Sequence, residues 1–132
     1  MSDPRIAACP FVRRGGKLHV VLVTGRRHGA WLLPKGRPED DLVSRQVAEL
    51  EAWEEAGVVG KAHGRPSRFT VARQCGDRRV VVAYVILVQS LAQTWPEHRE
   101  RIRQIVPLDD LDTIPLDDSW RRCIKRLAAQ AS

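Results

Sequence analysis

The chain has 132 residues, of which 43% are hydrophobic, 29% charged and 5% aromatic, with a formal net charge of +6. That length and apolar content support one domain, residues 1 to 132, with a modest core and no room for a second. Cys9, Cys75 and Cys123 are far apart and form no CxxC pair, which argues against a disulfide framework or a zinc site; no stretch reaches the ~18 apolar residues of a membrane span or resembles a signal peptide, so a cytoplasmic protein without membrane contact is expected.

In chain order, residues 5 to 12 and 17 to 24 are apolar runs on either side of Arg13, Arg14, Gly15 and Gly16, the pattern of a β-hairpin with a glycine turn. Val20 to Val23 is continuously apolar, as in a strand buried on both faces, so the sheet needs cover on two sides. A basic loop bounded by Gly25 and Gly29 leads into a short strand, Trp31 to Leu33, which ends at Pro34, Lys35 and Gly36. Residues 42 to 56 contain good helix formers and no Gly or Pro; Asp40 or Asp41 can cap the start and Gly57 the end.

Beyond this helix, residues 58 to 62 and 67 to 74 read as two extended segments, and Val80 to Val88 is the longest β-branched run. Gly76 and Asp77 turn the chain between the last two. Arg78 and Arg79 then stand at a strand entrance, where they either meet a ligand or discourage edge association. A polar loop from Trp95 to Arg101 precedes a short strand around Ile105 and Val106, and Pro107 opens a turn and a short helical segment. From Asp117 the chain restarts as an amphipathic helix with Trp120, Cys123, Ile124 and Leu127 on one stripe, expected on the face of the sheet opposite the first helix.

The chemistry concentrates at the end of the first helix. At about 100° per residue, Glu54 lies roughly 60° to one side of Glu51 and Glu55 roughly 40° to the other, so three carboxylates share one narrow face. Mg²⁺ takes such oxygen ligands together with water and substrate phosphate. A solvated acidic helix end has the same spacing, and exposed like charges at i,i+4 cost only about 0.2–0.5 kcal/mol. In a partly buried pocket of effective dielectric near 20, each pair about 6 Å apart repels by roughly 3 kcal/mol, which calls for a metal. Leu50, about 100° from Glu51 and close in direction to Val43 and Val47, is expected to pack in an apolar stripe.

Positive charge is uneven: residues 61 to 103 hold nine Lys/Arg against three acids. Such clustering suits phosphate, whether of nucleic acid or of a small ligand. Few aromatic residues are available for stacking and no nucleic-acid-binding motif is visible, which places a small polyphosphate ahead of nucleic acid.

Gly36, Glu51, Glu54, Glu55, Gly57 and Val58 fall in register with the signature Gly-x5-Glu-x7-Arg-Glu-U-x-Glu-Glu-x-Gly-U, with U aliphatic, and the chain thereby resembles the Nudix hydrolases. Arg5 to Phe11, Val20 to Gly36, Asp77 to Arg79, Trp95 to Glu97 and Arg101 to Arg103 are similar to the diphosphoinositol polyphosphate phosphohydrolase branch. The resemblance implies an α/β Nudix fold, a mixed sheet sandwiched between helices. It implies a Mg²⁺-dependent pyrophosphohydrolase, with Mn²⁺ as the alternative ion. Glu51, Glu55 and the Gly36 carbonyl would hold the metal, and Glu54 would position or deprotonate the attacking water. Arg5, Arg26, Arg27, Lys35, Arg101 and Arg103 would contact the substrate, and Glu97 or Glu100 could add a carboxylate from outside the box. His28 borders the same loop without a catalytic role. Two positions depart from the signature, Leu42 for its first Glu and Leu50 for its Arg. They motivate a second reading, a non-catalytic module that binds a polyphosphate or a protein partner. The residues leave the oligomeric state open.

Overall fold

Period-two alternation along the apolar runs decides the architecture. The computed structural model describes residues 3–25, 29–72 and 76–131. Its strands are β1 (Arg5–Arg14), β2 (Lys17–Thr24), β3 (Trp31–Leu32), β4 (Lys35–Gly36), β5 (Val58–Ala72), β6 (Arg78–Leu91) and β7 (Arg103–Pro107). Helix α1 spans Ser44–Ala56, a 3-10 helix spans Leu108–Thr113, and α2 spans Asp118–Ala131. The strands form one sheet in the order β3-β2-β1-β6-β5, with β4 also on β1 and β7 also on β2. β1 and β6 run parallel, from Arg5 beside Val81 to Phe11 beside Leu87, while the other pairs are antiparallel.

Alternation divides the strands between two cores. Ala7, Cys9 and Phe11 of β1 and Val20 and Leu22 of β2 join Trp120, Cys123, Ile124 and Leu127 of α2. Ile6, Ala8, Val21 and Val23 join Val47, Ala48, Ala52 and Ala56 of α1. The sheet is therefore mixed and sandwiched, with the two helices on opposite faces as the sequence indicates. Val20 to Val23 are fully buried. Cys9 and Cys123 are free thiols in the α2-side core, where burial raises both, Cys123 to about 12. Cys75 lies outside the described residues, as do Arg26, Arg27 and His28.

Three local expectations change. The segments 58 to 62 and 67 to 72 are one long strand, β5, whose register on β6 shifts between His63 and Ser67, and residues 73 and 74 of the second expected segment lie outside the described residues. Gly64, at φ 76°, and Pro66 bend the strand there without ending it. Helix α1 starts at Ser44 with Val43 at its N-cap, so neither Asp40 nor Asp41 caps it. Leu42 packs against the α1-side core and Val43 stays extended, which leaves the two acids in the preceding turn. The Gln46 side chain reaches back to accept the Val43 N–H at 3.1 Å. Finally, the apolar stripe through Val43, Val47 and Leu50 is incomplete: Val43 is 63% exposed, Val47 is buried, and Leu50 is half-buried and belongs to neither core.

Gly60 shows how tightly β5 and β6 are joined, because a Cβ there would lie 2.4 Å from the Leu87 carbonyl oxygen. That atom cannot move without disturbing the ladder. Gly60→Ala should lower stability by about 1–3 kcal/mol, read from the urea midpoint; an unchanged midpoint would show that the strand relaxes freely.

Candidate active site

The end of α1 is held by a segment distant in sequence. Gly57 terminates the helix at φ 65° and donates its N–H to the Trp53 carbonyl at 3.0 Å. A Cβ on Gly57 would meet the Trp95 ring at 2.7 Å and Arg103 Nη1 at 2.9 Å, so both conformation and crowding require glycine. The last carbonyls of the helix then find donors outside it. Glu97 N–H donates to the Glu54 carbonyl at 3.0 Å, and Trp95 Nε1–H to the Glu55 carbonyl at 2.9 Å. Arg103 Nη1 donates to the carbonyls of Ala56 at 2.9 Å and Ala92 at 2.8 Å, with its guanidinium 4.3 Å above the Trp95 ring.

This clamp fixes Glu51, Glu54 and Glu55 and brings Glu97 beside them. Glu55 is only 5% exposed. Its carboxylate accepts the Lys35 backbone N–H at 3.2 Å and faces Arg101 Nη2 at 3.4 Å. Arg101 also donates Nε to Glu97 at 2.8 Å and Nη1 to the Thr24 carbonyl at 3.0 Å. The Glu51 carboxyl lies against Gly36, where a Cβ would sit 2.3 Å from Glu51 Cδ. Burial, then the charges of Glu55 and Glu54, push Glu51 from its ordinary 4.5 up to about 8. Burial also raises Glu55, while Arg101 and the Lys35 amide pull it down. Glu54 is raised by burial and then by Glu97 and Glu39.

Cations border the carboxylates. The Lys35 ammonium is lowered by burial first, and Glu55 opposes this while Arg101, Arg5 and Arg79 add to it. Strand pairing explains the gathering: Lys35 lies opposite Ala7 on β1, Arg5 opposite Val81 on β6, and Arg79 two residues before Val81. Arg5 Nη1 also donates to the Asp3 carbonyl at 3.2 Å, and Arg79 Nε is buried without a hydrogen-bond partner among the described residues.

Of the substrate-contact residues indicated by the sequence, Arg5 and Lys35 lie in this group, and Arg26 and Arg27 are outside the described residues. Arg101 and Arg103 are engaged by protein acceptors, so a phosphate would meet only their remaining N–H donors. Arg79, left open by the sequence between ligand contact and edge protection, and Glu97, one of two loop acids that the resemblance implied, both lie in this group. Arg79 depends on the long-range β1–β6 pairing, and Glu97 on the docking of its loop against α1. Glu100 donates its N–H to the Glu97 carbonyl at 2.9 Å.

The donor set suits a hard divalent cation. Glu51 and Glu55 are both raised, by burial first, and Gly36 makes room for the Glu51 carboxyl. Among the described residues no three acidic, histidine or cysteine side chains gather to hold a metal alone, so water and phosphate oxygens would complete the shell.

The NUDIX domain family model matches residues 2–127. "Nudix hydrolase 16, mitochondrial" of Arabidopsis thaliana is 32% identical over 107 residues, 72% of this chain, which spans only 57% of that relative's length. Among solved structures, the NUDIX domain of Shewanella oneidensis NrtR complexed with ADP ribose superposes with a TM-score of 0.80 at 20% identity, covering 100% of this chain and 90% of that one. NrtR complexed with a 27mer DNA gives 0.76 at 21% identity, covering 97% and 61%. C. elegans Ap4A hydrolase gives 0.80 at 15% identity, covering 100% of both chains.

The carboxyl pair makes a prediction for the metal-free protein. Between pH 4.5 and about 8 the folded state keeps a proton on Glu51 that the unfolded chain releases, so stability should fall as pH rises through that window. Mg²⁺ should restore the loss near the upper end by binding only the folded state. Melting curves in EDTA and in Mg²⁺ across the window test this; a melting temperature indifferent to both pH and Mg²⁺ would contradict the geometry.

Proposed function

The chain belongs to the NUDIX domain family, and from that premise we propose that it hydrolyses a diphosphate bond in a small polyphosphorylated molecule, using Mg²⁺ or Mn²⁺ held by Glu51, Glu55 and the Gly36 carbonyl. The observation that carries this reading is the placement of the two carboxyls, Glu51 against Gly36 and the buried Glu55 on the adjoining Lys35 amide. When bound, the cation neutralises charge on the bridging and leaving oxygens. The chain supplies the rest. Glu54, raised by burial and by Glu97, accepts a proton from the attacking water. Arg101 holds Glu55 and Glu97 in place, and Arg103 with Trp95 fixes the helix end that carries all three box carboxylates. Lys35, Arg5 and Arg79 take the substrate phosphates together with the remaining donors of Arg101 and Arg103, and Arg26 and Arg27 are further contacts that the family resemblance implies.

This number of cations favours a substrate with several phosphates, a diphosphoinositol polyphosphate or a dinucleoside polyphosphate. The ligands named for the neighbouring Ap4A hydrolase and the ADP-ribose complex both contain diphosphate linkages, which supports the bond class. A second reading, a binding module without turnover, is favoured by one observation: Leu42 is packed against the α1-side core in place of a carboxylate.

Phosphate release from inositol and nucleoside diphosphates, with and without Mg²⁺, separates the readings. Glu54→Gln should lower kcat by more than about tenfold at an unchanged melting temperature. Wild-type turnover in that variant would remove Glu54 from the chemistry, and tight binding without turnover in the native protein would favour the module. Arg79→Ala should raise KM through loss of a charge-assisted hydrogen bond worth about 1.5–3 kcal/mol, more for an inositol polyphosphate than for a nucleoside diphosphate. Equal losses for both would mean that Arg79 only supports the strand.

A further inference from the structure

A second concentration of positive charge is built on α2, whose face of the sheet is opposite that of α1. Ser119, Arg122 and Arg126 are spaced i, i+3 and i+7, one face of the helix. That face meets Phe69, Thr70 and Arg78 of the β5–β6 hairpin around a cavity of about 170 Å³. Arg78 donates Nε and Nη2 to Thr70 Oγ1 at 3.1 and 2.7 Å, and Arg126 Nη1 lies 3.4 Å from Ser67 Oγ. Among the described residues no acidic side chain lines the cavity. Among the described residues none of its three arginines is in a salt bridge.

Nearby acids are committed elsewhere. Asp118 pairs with Arg121, Asp112 pairs with Arg121 and Lys125, and Asp117 accepts the Ser119 N–H at 2.8 Å. Three arginines thus line one cavity, without an acidic partner among the described residues, beside two hydroxyls and the first turn of a helix. Forked N–H donors match tetrahedral phosphoryl oxygens and discriminate against a spherical anion such as chloride. The cavity is smaller than the ~300–1,000 Å³ of pockets for drug-sized ligands, which selects a phosphoryl group over a whole nucleotide. We propose that Arg78, Arg122 and Arg126, with Thr70 and Ser119, form a second anion site that binds phosphate or pyrophosphate independently of the carboxylate centre.

The test is calorimetric titration with phosphate and with pyrophosphate, in EDTA at constant ionic strength. The proteins compared are the wild type, Glu54→Gln and the double variant Arg122→Ala/Arg126→Ala. Saturable binding is expected in the wild type and Glu54→Gln alike, weakened at least about tenfold in the double variant, roughly the loss of one charge-assisted contact. Amide NMR shifts should centre on Ser119 and Arg122. Both replaced arginines are exposed, so the fold should persist; if melting shows otherwise, Arg122→Gln alone should still weaken binding. Undiminished affinity in a folded variant, or shifts centred on Glu51 to Glu55, would overturn the proposal. So would an oligonucleotide that binds where neither small anion does, since that would identify a nucleic-acid surface.

Discussion

The site depends on one buried charge. A carboxylate as enclosed as Glu55 would cost several kcal/mol to desolvate without compensation. It is compensated by two groups, the Lys35 amide and the Arg101 guanidinium. Because Arg101 also binds Glu97 and the Thr24 carbonyl, one buried acid ties together β2, β4, α1 and the loop before β7. Glu51 and Glu54 are then placed by the helix that Glu55 anchors. The carboxylates are spaced by the helical repeat, but their depth and their partners come from tertiary structure.

Much of this was legible in the sequence. Helical spacing placed Glu51, Glu54 and Glu55 together, and alternation in β1 and β2 indicated a sheet covered on both faces. What was not legible depends on pairing between distant residues or on competition at an element boundary. Arg79 joins Arg5 and Lys35 only because β1 lies between β4 and β6. Asp40 and Asp41 are good cap residues by type, yet Leu42 enters the core just after them and delays the helix, so burial outweighs capping preference. Val43 is exposed for the same reason, since it occupies the extended cap position. Continuity of β5 through Gly64 and Pro66 was hidden because both residues ordinarily signal a turn, whereas here they produce a bulge.

Leu42 and Leu50 are the signature's two departures, and they differ in kind. Leu42 has a structural use: it anchors the entry to α1 in the core. Leu50 is half-buried and joins neither core. Polar support for the box comes from Arg101, which reaches Glu55 of the box and Glu97 of its own loop from the segment before β7. Charge is also divided between the faces. Cations on one side are interleaved with the acids of α1, while those of the α2 cavity stand without them.

The parallel pairing of β1 with β6 has a consequence for how the chain is made. β1 is synthesised before its partner, which follows 76 residues later, from Val81 beside Arg5 to Leu87 beside Phe11. The β1–β2 hairpin can close locally, but it leaves the other edge of β1, with Ile6, Ala8 and Cys9, unpaired until β6 arrives. Pairings of such long range are slow to form and expose adhesive strand edges meanwhile. The same central strand that gathers Arg5 and Lys35 beside the carboxylates is thus the element most vulnerable to misassociation during synthesis, and the burden on chaperones should fall on that interval.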